Sequence, residues 1–451
     1  MASPAYQRVT STGAGLHTPM RVDGQDELPF TAAYRSSGRQ YRTLFPNEEK
    51  ENRCRGCVNH TKCVGWTYVL TLFVAATLQP VLLKILLDNL MPYRFPLVVV
   101  LCGIHFLVMT VIVAWKYCFG SSTLPPKMYL FSKSHMFCIA LLDMLQLLMV
   151  VIPGGVVPGT VMLTLTQFGP SVDVVASCMC CRSQNISARY SSKAARFGGA
   201  FFVFLGVGAV IYPMVLNVAA PKRGIPDTFQ NDSLVLWNSL ILLGSSIPAW
   251  LSKRAKFGAL QRQPMDPYYF NAWLSFCQVL VCIPLSPLLY AYQGWSCTGD
   301  GGGNNLVWKV DNMVPNFLDG VFCIFSAQVA EGETCRVGSL LIDPHCSLGF
   351  PLVFLLLLIS LTLVSVTPMV VQKCETTFIA NGAYFAAVPF SYCVLMLYDM
   401  YDSTVRTDTT ARDVHWMGIL GIVFVVLGTV VNQYYVDRRM DETTTSAPRT
   451  S

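Results

Sequence analysis

The sequence predicts an all-α polytopic membrane protein of ten transmembrane helices, arranged as two inverted five-helix repeats. Three observations carry that reading. Only 13% of the 451 residues are charged while 53% are hydrophobic, against roughly 25% charged in soluble domains. The apolar residues gather into blocks of around 20, the length a helix needs to cross a hydrocarbon core of about 30 Å. Ten such blocks divide into five and five, and an odd number of crossings in each half inverts the second half relative to the first.

Residues 1–65 are polar and rich in Ser, Thr and Gly, and read as a disordered cytosolic tail. The tail carries Asp23, Asp26, Glu27, Glu48, Glu49 and Glu51, too many acids for a transit peptide, and lacks the apolar core of a signal peptide. The first apolar block is therefore expected to act as the targeting signal. The first repeat, 66–218, has its crossings at 66–90, 95–118, 136–152, 157–180 and 197–218. The second repeat, 234–436, has them at 234–251, 270–292, 348–371, 378–400 and 416–436, and a short cytosolic tail follows at 437–451. One connection is long: the loop 293–347 opens with a Gly/Asn-rich stretch and contains a semi-apolar segment, 314–330, expected to lie on the membrane surface or re-enter it.

Basic residues orient the crossings. Lys127, Lys133, Arg182, Arg189, Lys193, Arg196, Lys253, Arg254, Lys256, Arg262 and Lys373 fall on one side. Arg94, Lys222, Arg223, Lys309, Arg336, Arg406 and Arg412 are spread over more residues on the other. The first side is expected to be cytosolic, with both termini there. The sequon at Asn231 then lies on the far side, unlike those at Asn59 and Asn185. The Gly/Pro-rich link 153–159 before the fourth crossing is matched weakly by Asn381, Gly382 and Pro389 in the ninth.

The formal charge of +6 comes without any nucleic-acid-binding motif. The six histidines, His17, His60, His105, His135, His345 and His415, form no H-E-x-x-H or haem-type pair, and there is no G-x-S-x-G or Walker loop. The reading is a transporter, not an enzyme, with no cofactor. Its candidate cavity residues are polar side chains at depths where lipid makes them expensive. Asp143 lies midway along the third crossing with Gln146 one turn on. Gln167 and Asp173 flank the helix-interrupting Gly169 and Pro170 in the fourth. Gln79 and Lys84 lie towards the end of the first, and Asn381 and Tyr384 lie in the ninth. Lys84 and Asp88, four apart, read more readily as a snorkelling ion pair than as a binding site. Asp143 is the expected proton-responsive group, neutral when it faces an acidic lumen and charged when it faces the cytosol; the plainer alternative is that it caps a buried hydroxyl. Gln146 and Gln167 would offer neutral hydrogen bonds to a peptide-like solute.

Cysteines outside the crossings fall in three groups. Cys54, Cys57, His60 and Cys63 are spaced more tightly than in common zinc modules, so lipidation, metal and free thiols all remain open; no metal site is predicted. Cys178, Cys180 and Cys181 invite the same lipidation reading. In the long loop Cys297, Cys323, Cys335 and Cys346 suggest one or two disulfides if that compartment is oxidising.

Several stretches together resemble a known family. The run Ile152-Pro153-Gly154-Gly155-Val156-Val157-Pro158-Gly159, followed by Leu165-Thr166-Gln167, resembles the third-to-fourth-span region of chloroquine-resistance-transporter-like proteins of the drug/metabolite transporter superfamily. Arg189-Tyr190 with Gly198-Gly199, Asn271-Ala272 with Ser275-Phe276 and Gln278, Asp319-Gly320 before Cys323, and Val431-Asn432-Gln433 before Arg438-Arg439 are similar too. The resemblance implies the drug/metabolite transporter fold. It further implies proton-coupled export of small amino-acid-derived, peptide-like or cationic solutes from a vacuolar or lysosome-like organelle, or else residence in a plastid or the plasma membrane; plastid relatives are linked to glutathione. Asp143 matches a family acid, Gln167 a cavity glutamine, and Cys323, Cys335 and Cys346 three of four loop cysteines; Asp343 stands where the fourth is expected. On that basis Cys323 is expected to pair with Cys346, and Cys297 with Cys335. The implied partners are a small-molecule solute, protons and the lipid bilayer, with no nucleic acid and a monomer or weak dimer. An exchanger of sugar phosphates or nucleotide sugars is the alternative within the superfamily, but anionic phosphates call for cavity Lys or Arg, and the deep crossings offer only Lys84. A non-transporting receptor or scaffold would need neither buried Asp143 nor Gln167.

Overall fold

The computed structural model describes residues 55–119, 132–169, 171–172, 190–219, 226–262, 266–297, 313–326, 335–337, 340–342, 346, 349–374, 377–405 and 416–431. Helix α1 spans Arg55–Asn89, and a 3₁₀ turn at Met91–Tyr93 leads into α2, Arg94–Cys118. Then come α3, Lys133–Gly154, and the short α4, Gly159–Thr166. Helices α5, Tyr190–Ala219, α6, Pro226–Arg262, and α7, Pro267–Cys297, follow. Helix α8 is Met313–Ser326, and a two-stranded antiparallel hairpin pairs β1, Cys335–Val337, with β2, Leu340–Ile342. Helices α9, Phe350–Cys374, α10, Thr377–Val405, and α11, Trp416–Val431, complete the order.

Among the described residues eight helical segments are long and apolar enough to cross a membrane: Trp66–Asn89, Met91–Cys118, Lys133–Gly154, Phe197–Leu216, Ser233–Lys256, Pro267–Ala291, Phe350–Val371 and Gly382–Met400. They match eight of the ten expected crossings. The fourth differs: Pro158 is the cap of α4 and the helix stops at Thr166, with Gln167 already in a turn. Helix is described again at Gly169, Ser171 and Val172, so the crossing is interrupted by a turn at Gln167 and Phe168. The tenth is described only as the shorter α11. Helix α1 starts at Arg55, inside the stretch assigned to a disordered tail, so part of that tail is helical.

Polar residues turn inward and large apolar residues outward, the pattern of a bundle whose solvent is lipid. Asn271, Ser275, Ser286 and Thr362 are buried, whereas Leu107, Val111, Ile283, Leu288, Leu352 and Leu397 are exposed. The inward hydroxyls satisfy themselves on their own helices: Ser275 Oγ donates to Asn271 O at 2.7 Å, and Thr362 Oγ1 to Leu358 O at 2.8 Å. Asn271 reaches across instead, its Nδ2 donating to Ser365 O of α9 at 3.1 Å.

The packing has an internal regularity. Helix α1 packs on α9 and α10, α6 packs on α3 and α4, α2 packs on α7, and α4 on α10. Helices α5 and α11 cross so closely that a Cβ on Gly206 would lie 2.5 Å from Gly421 O, and one on Gly428 would lie 2.4 Å from Gly199 O. Exchanging α1 with α6, α2 with α7, α3 with α9, α4 with α10 and α5 with α11 leaves this set of contacts unchanged.

Helix α8, some 21 Å long at 1.5 Å per residue, is too short to span. Its buried face, Asn316, Gly320, Cys323 and Ile324, lies on the start of α2, where Asn316 Nδ2 donates to Pro92 O at 3.4 Å and Phe317 meets Phe95 at 5.7 Å. Val314, Leu318, Phe322 and Phe325 face outward. Cys323 is bonded to Cys346, Cα atoms 5.1 Å apart, which ties α8 to the chain entering α9. The side chains of Cys297 and Cys335 lie outside the described residues, as do those of the Cys54–Cys63 and Cys178–Cys181 groups.

Candidate functional site

Two polar clusters rest against α3. The first is built on Asp143, which α3 presents to α6 and α7. Lys256 Nζ of α6 donates to both carboxylate oxygens, at 2.9 and 2.8 Å. Gln278 Nε2 of α7 donates at 2.9 Å, and Ser252 Oγ of α6 also donates to the carboxylate. Three donors from two other helices therefore converge on one acid. Lys256, assigned from the sequence to a cytosolic connection, is helical because α6 runs on to Arg262. Asp143 thus has a cation for a partner, a strong charge-assisted contact. The reading of Asp143 as a hydroxyl acceptor describes only its bond to Ser252.

The second cluster surrounds the link between α3 and α4. Lys84 and Asp88 are 4% and 5% exposed, which excludes snorkelling. Lys84 Nζ donates to Asp88 Oδ1 at 2.5 Å, to Gly154 O at 2.9 Å and to Val157 O at 2.8 Å. An ammonium has three donors, and all three are used, so Lys84 is not free to bind a solute. Arg94, placed by the sequence in an external loop, is 1% exposed, and its Nη1 donates to Ile152 O at 2.6 Å. Two cations thereby take the carbonyls at the C-terminal end of α3, where the helix dipole favours positive charge. Across the link Asp399 of α10 accepts from Gly159 N at 3.1 Å, Thr160 N at 3.0 Å and Thr160 Oγ1 at 2.9 Å, capping α4 with the matching negative charge.

The other sequence candidates are spread out. Gln167 lines a small cavity of about 10 Å³ with Phe385, Val388, Val425, Val426 and Thr429, room for one water. It faces α10 and α11, whereas Asp143 faces α6 and α7. Tyr384 donates to Val364 O at 3.1 Å beneath Lys253, whose Nζ is 6.0 Å from the ring centroid. Gln146 and Gln79 are half-buried on α3 and α1. Asp173 and the side chain of Asn381 lie outside the described residues. A larger open groove of about 360 Å³ between Trp66, Leu70, Phe73 and Ala386 is apolar and contains none of the polar candidates. Arg94, Ser252, Lys256 and Asp399 were missed. The signal available for Ser252 and Lys256 is positional: they stand four and eight residues after Pro248 of α6, as Lys84 and Asp88 stand four and eight after Pro80 of α1.

In comparison with known proteins, a family model described as CRT-like, chloroquine-resistance transporter-like, matches residues 66–432. No curated protein matches the chain.

Proposed function

The chain belongs to the CRT-like, chloroquine-resistance transporter-like family, and from that premise of a multi-pass membrane transporter we propose a secondary-active, proton-coupled exporter. It moves small amino-acid-derived, peptide-like or cationic solutes from the acidic lumen of a vacuolar or lysosome-like organelle to the cytosol. Residues 66–218 and 234–436 act as inverted repeats around a central path. Both tails are cytosolic, and the 293–347 loop faces an oxidising lumen.

One observation carries this reading. The Asp143 and Lys84 clusters contact α3 at residue 143 and at its last residue, Gly154, about 16 Å apart along a helix rising 1.5 Å per residue. They are built by α6 and α1, the helices that the contact pattern exchanges. Ion pairs at two levels and at matching positions, Lys84–Asp88 buried and Asp143–Lys256 half-buried, suit a carrier that holds one end closed while the other is released. Occupation of Lys84 by carbonyls also weakens the phosphate-exchanger alternative, which needs a cation with donors to spare.

The test is uptake by purified protein in liposomes. Radiolabelled glutathione and arginine are offered with and without a pH gradient, with a nucleotide sugar as competitor. Gradient-stimulated movement of either, insensitive to the nucleotide sugar, is the expected result. Transport of the nucleotide sugar alone selects the sister activity, and no movement of any probe removes the proposal.

A further inference from the structure

We propose that His105 is a proton-binding site that acts on the Asp143–Lys256 ion pair; this rests on the proton-coupled reading above and names the group that answers to pH. His105 is 7% exposed on α2, and its Nε2 is buried with no hydrogen-bond partner among the described residues. A buried polar nitrogen left unpaired is costly and calls for an explanation.

Its surroundings supply one. Helices α2 and α7 run antiparallel, as the ring contacts Phe95–Tyr290 at 5.7 Å and Phe106–Phe276 at 5.6 Å fix. That register sets His105 level with Gln278, which donates to Asp143. One turn earlier on α2, Cys102 Sγ contacts Met144 Sδ at 3.7 Å, next to Asp143 in sequence. Burial is the first influence on the His105 ring, and the Lys256 ammonium is the second. The titratable groups on the helices packed most closely on α2 are Tyr268, Tyr269, Cys277, Cys282 and Tyr290 of α7 and Asp319 of α8, while Asp143 and Lys256 are linked to it through Gln278 and the Cys102–Met144 contact, and the Lys116–Asp266 pair closes its far end.

A neutral imidazole with its hydrogen on Nδ1 keeps a lone pair on Nε2 that can take a proton. The imidazolium and the Lys256 ammonium are then like charges competing for one carboxylate. Protonation of His105 from the acidic side draws Asp143 away from Lys256 and loosens the contact of α3 with α6; loss of the proton to the cytosol restores it. By linkage, release of Lys256 makes His105 easier to protonate.

Two measurements on the full-length protein test this. Tryptophan fluorescence of the purified protein is titrated between about pH 3 and 8, a span that brackets the charge change of a histidine in or out of water. The wild type should show a transition that His105→Gln lacks and that Lys256→Gln shifts to higher pH, the like charge being gone. In liposomes, uptake by His105→Gln should no longer depend on lumenal pH. His105→Asn serves as the second variant, and both are checked for a monodisperse elution profile. Gradient-stimulated uptake in His105→Gln, or an unchanged fluorescence transition, overturns the site and leaves the transport reading standing. A His105-dependent transition in a protein that moves no probe keeps the site and overturns transport. A wild type flat in both assays overturns both.

Discussion

At the scale of single residues, Lys84, Asp143, Lys256 and Asp399 are each committed to backbone, to polar side chains or to one another. Lys84 is the sharpest case, because one ammonium serves a carboxylate and two carbonyls from the α3–α4 link. Lys84→Met would keep much of the side-chain volume but leave those carbonyls without their donor and Asp88 without its ammonium. The expected loss is about 3 kcal/mol, the range for breaking a buried pair from one side, read as a lower melting temperature in detergent. Asp143 and Lys256 can be separated from their surroundings by a double-mutant cycle. Asp143→Asn and Lys256→Met should each destabilise, and the double variant should recover about 1–2 kcal/mol of the summed loss. Simple additivity would mean that the pair contributes no coupling. Asp143 was legible in the sequence because a lone acid in an apolar run stands out. Its partner was not, since Lys256 lies among Lys253, Arg254 and Arg262 and looks like any basic connection.

At the scale of elements, the long apolar runs are readable because period and length suffice to identify a crossing. The broken element is readable only in outline. Pro153, Gly154, Gly155, Pro158 and Gly159 announce an interruption, but nothing in their order says that Lys84, Arg94 and Asp399, from other helices, supply the caps that make it stable. The α5–α11 crossing is similar. Gly206 and Gly199 are seven apart, as are Gly421 and Gly428, so each pair lies on one face; only the structure joins the two faces. With carbonyl oxygens so near, Gly206→Leu must push the helices apart. A loss of about 2 kcal/mol or more is expected from such overpacking, whereas Gly208→Leu, where an added Cβ meets nothing within 4 Å, should be nearly neutral. Equal melting temperatures for the two variants would contradict this close crossing.

At the scale of the whole molecule, an odd number of crossings per half led to the expectation of inverted repeats, and the exchangeable set of helix contacts is compatible with that expectation. What the count could not supply is where the halves touch, because pairing between distant helices depends on side chains that lack any shared local signal. The proposed topology is directly checkable: a tag after Ser451 should be digested by protease added to sealed, right-side-out organelles, and a tag that survives until detergent is added would invert the assignment. The bond between Cys323 and Cys346 has a mechanical consequence at one rim of this bundle. Helix α8 rests on α2, which belongs to the first half, and is tethered to the entrance of α9, which belongs to the second. If the two halves part as proposed, a rim stitched on one side would not dilate evenly like an iris; it would swing like a door, with α8 as the hinge post and the widest gap for a passing solute on the side away from α8.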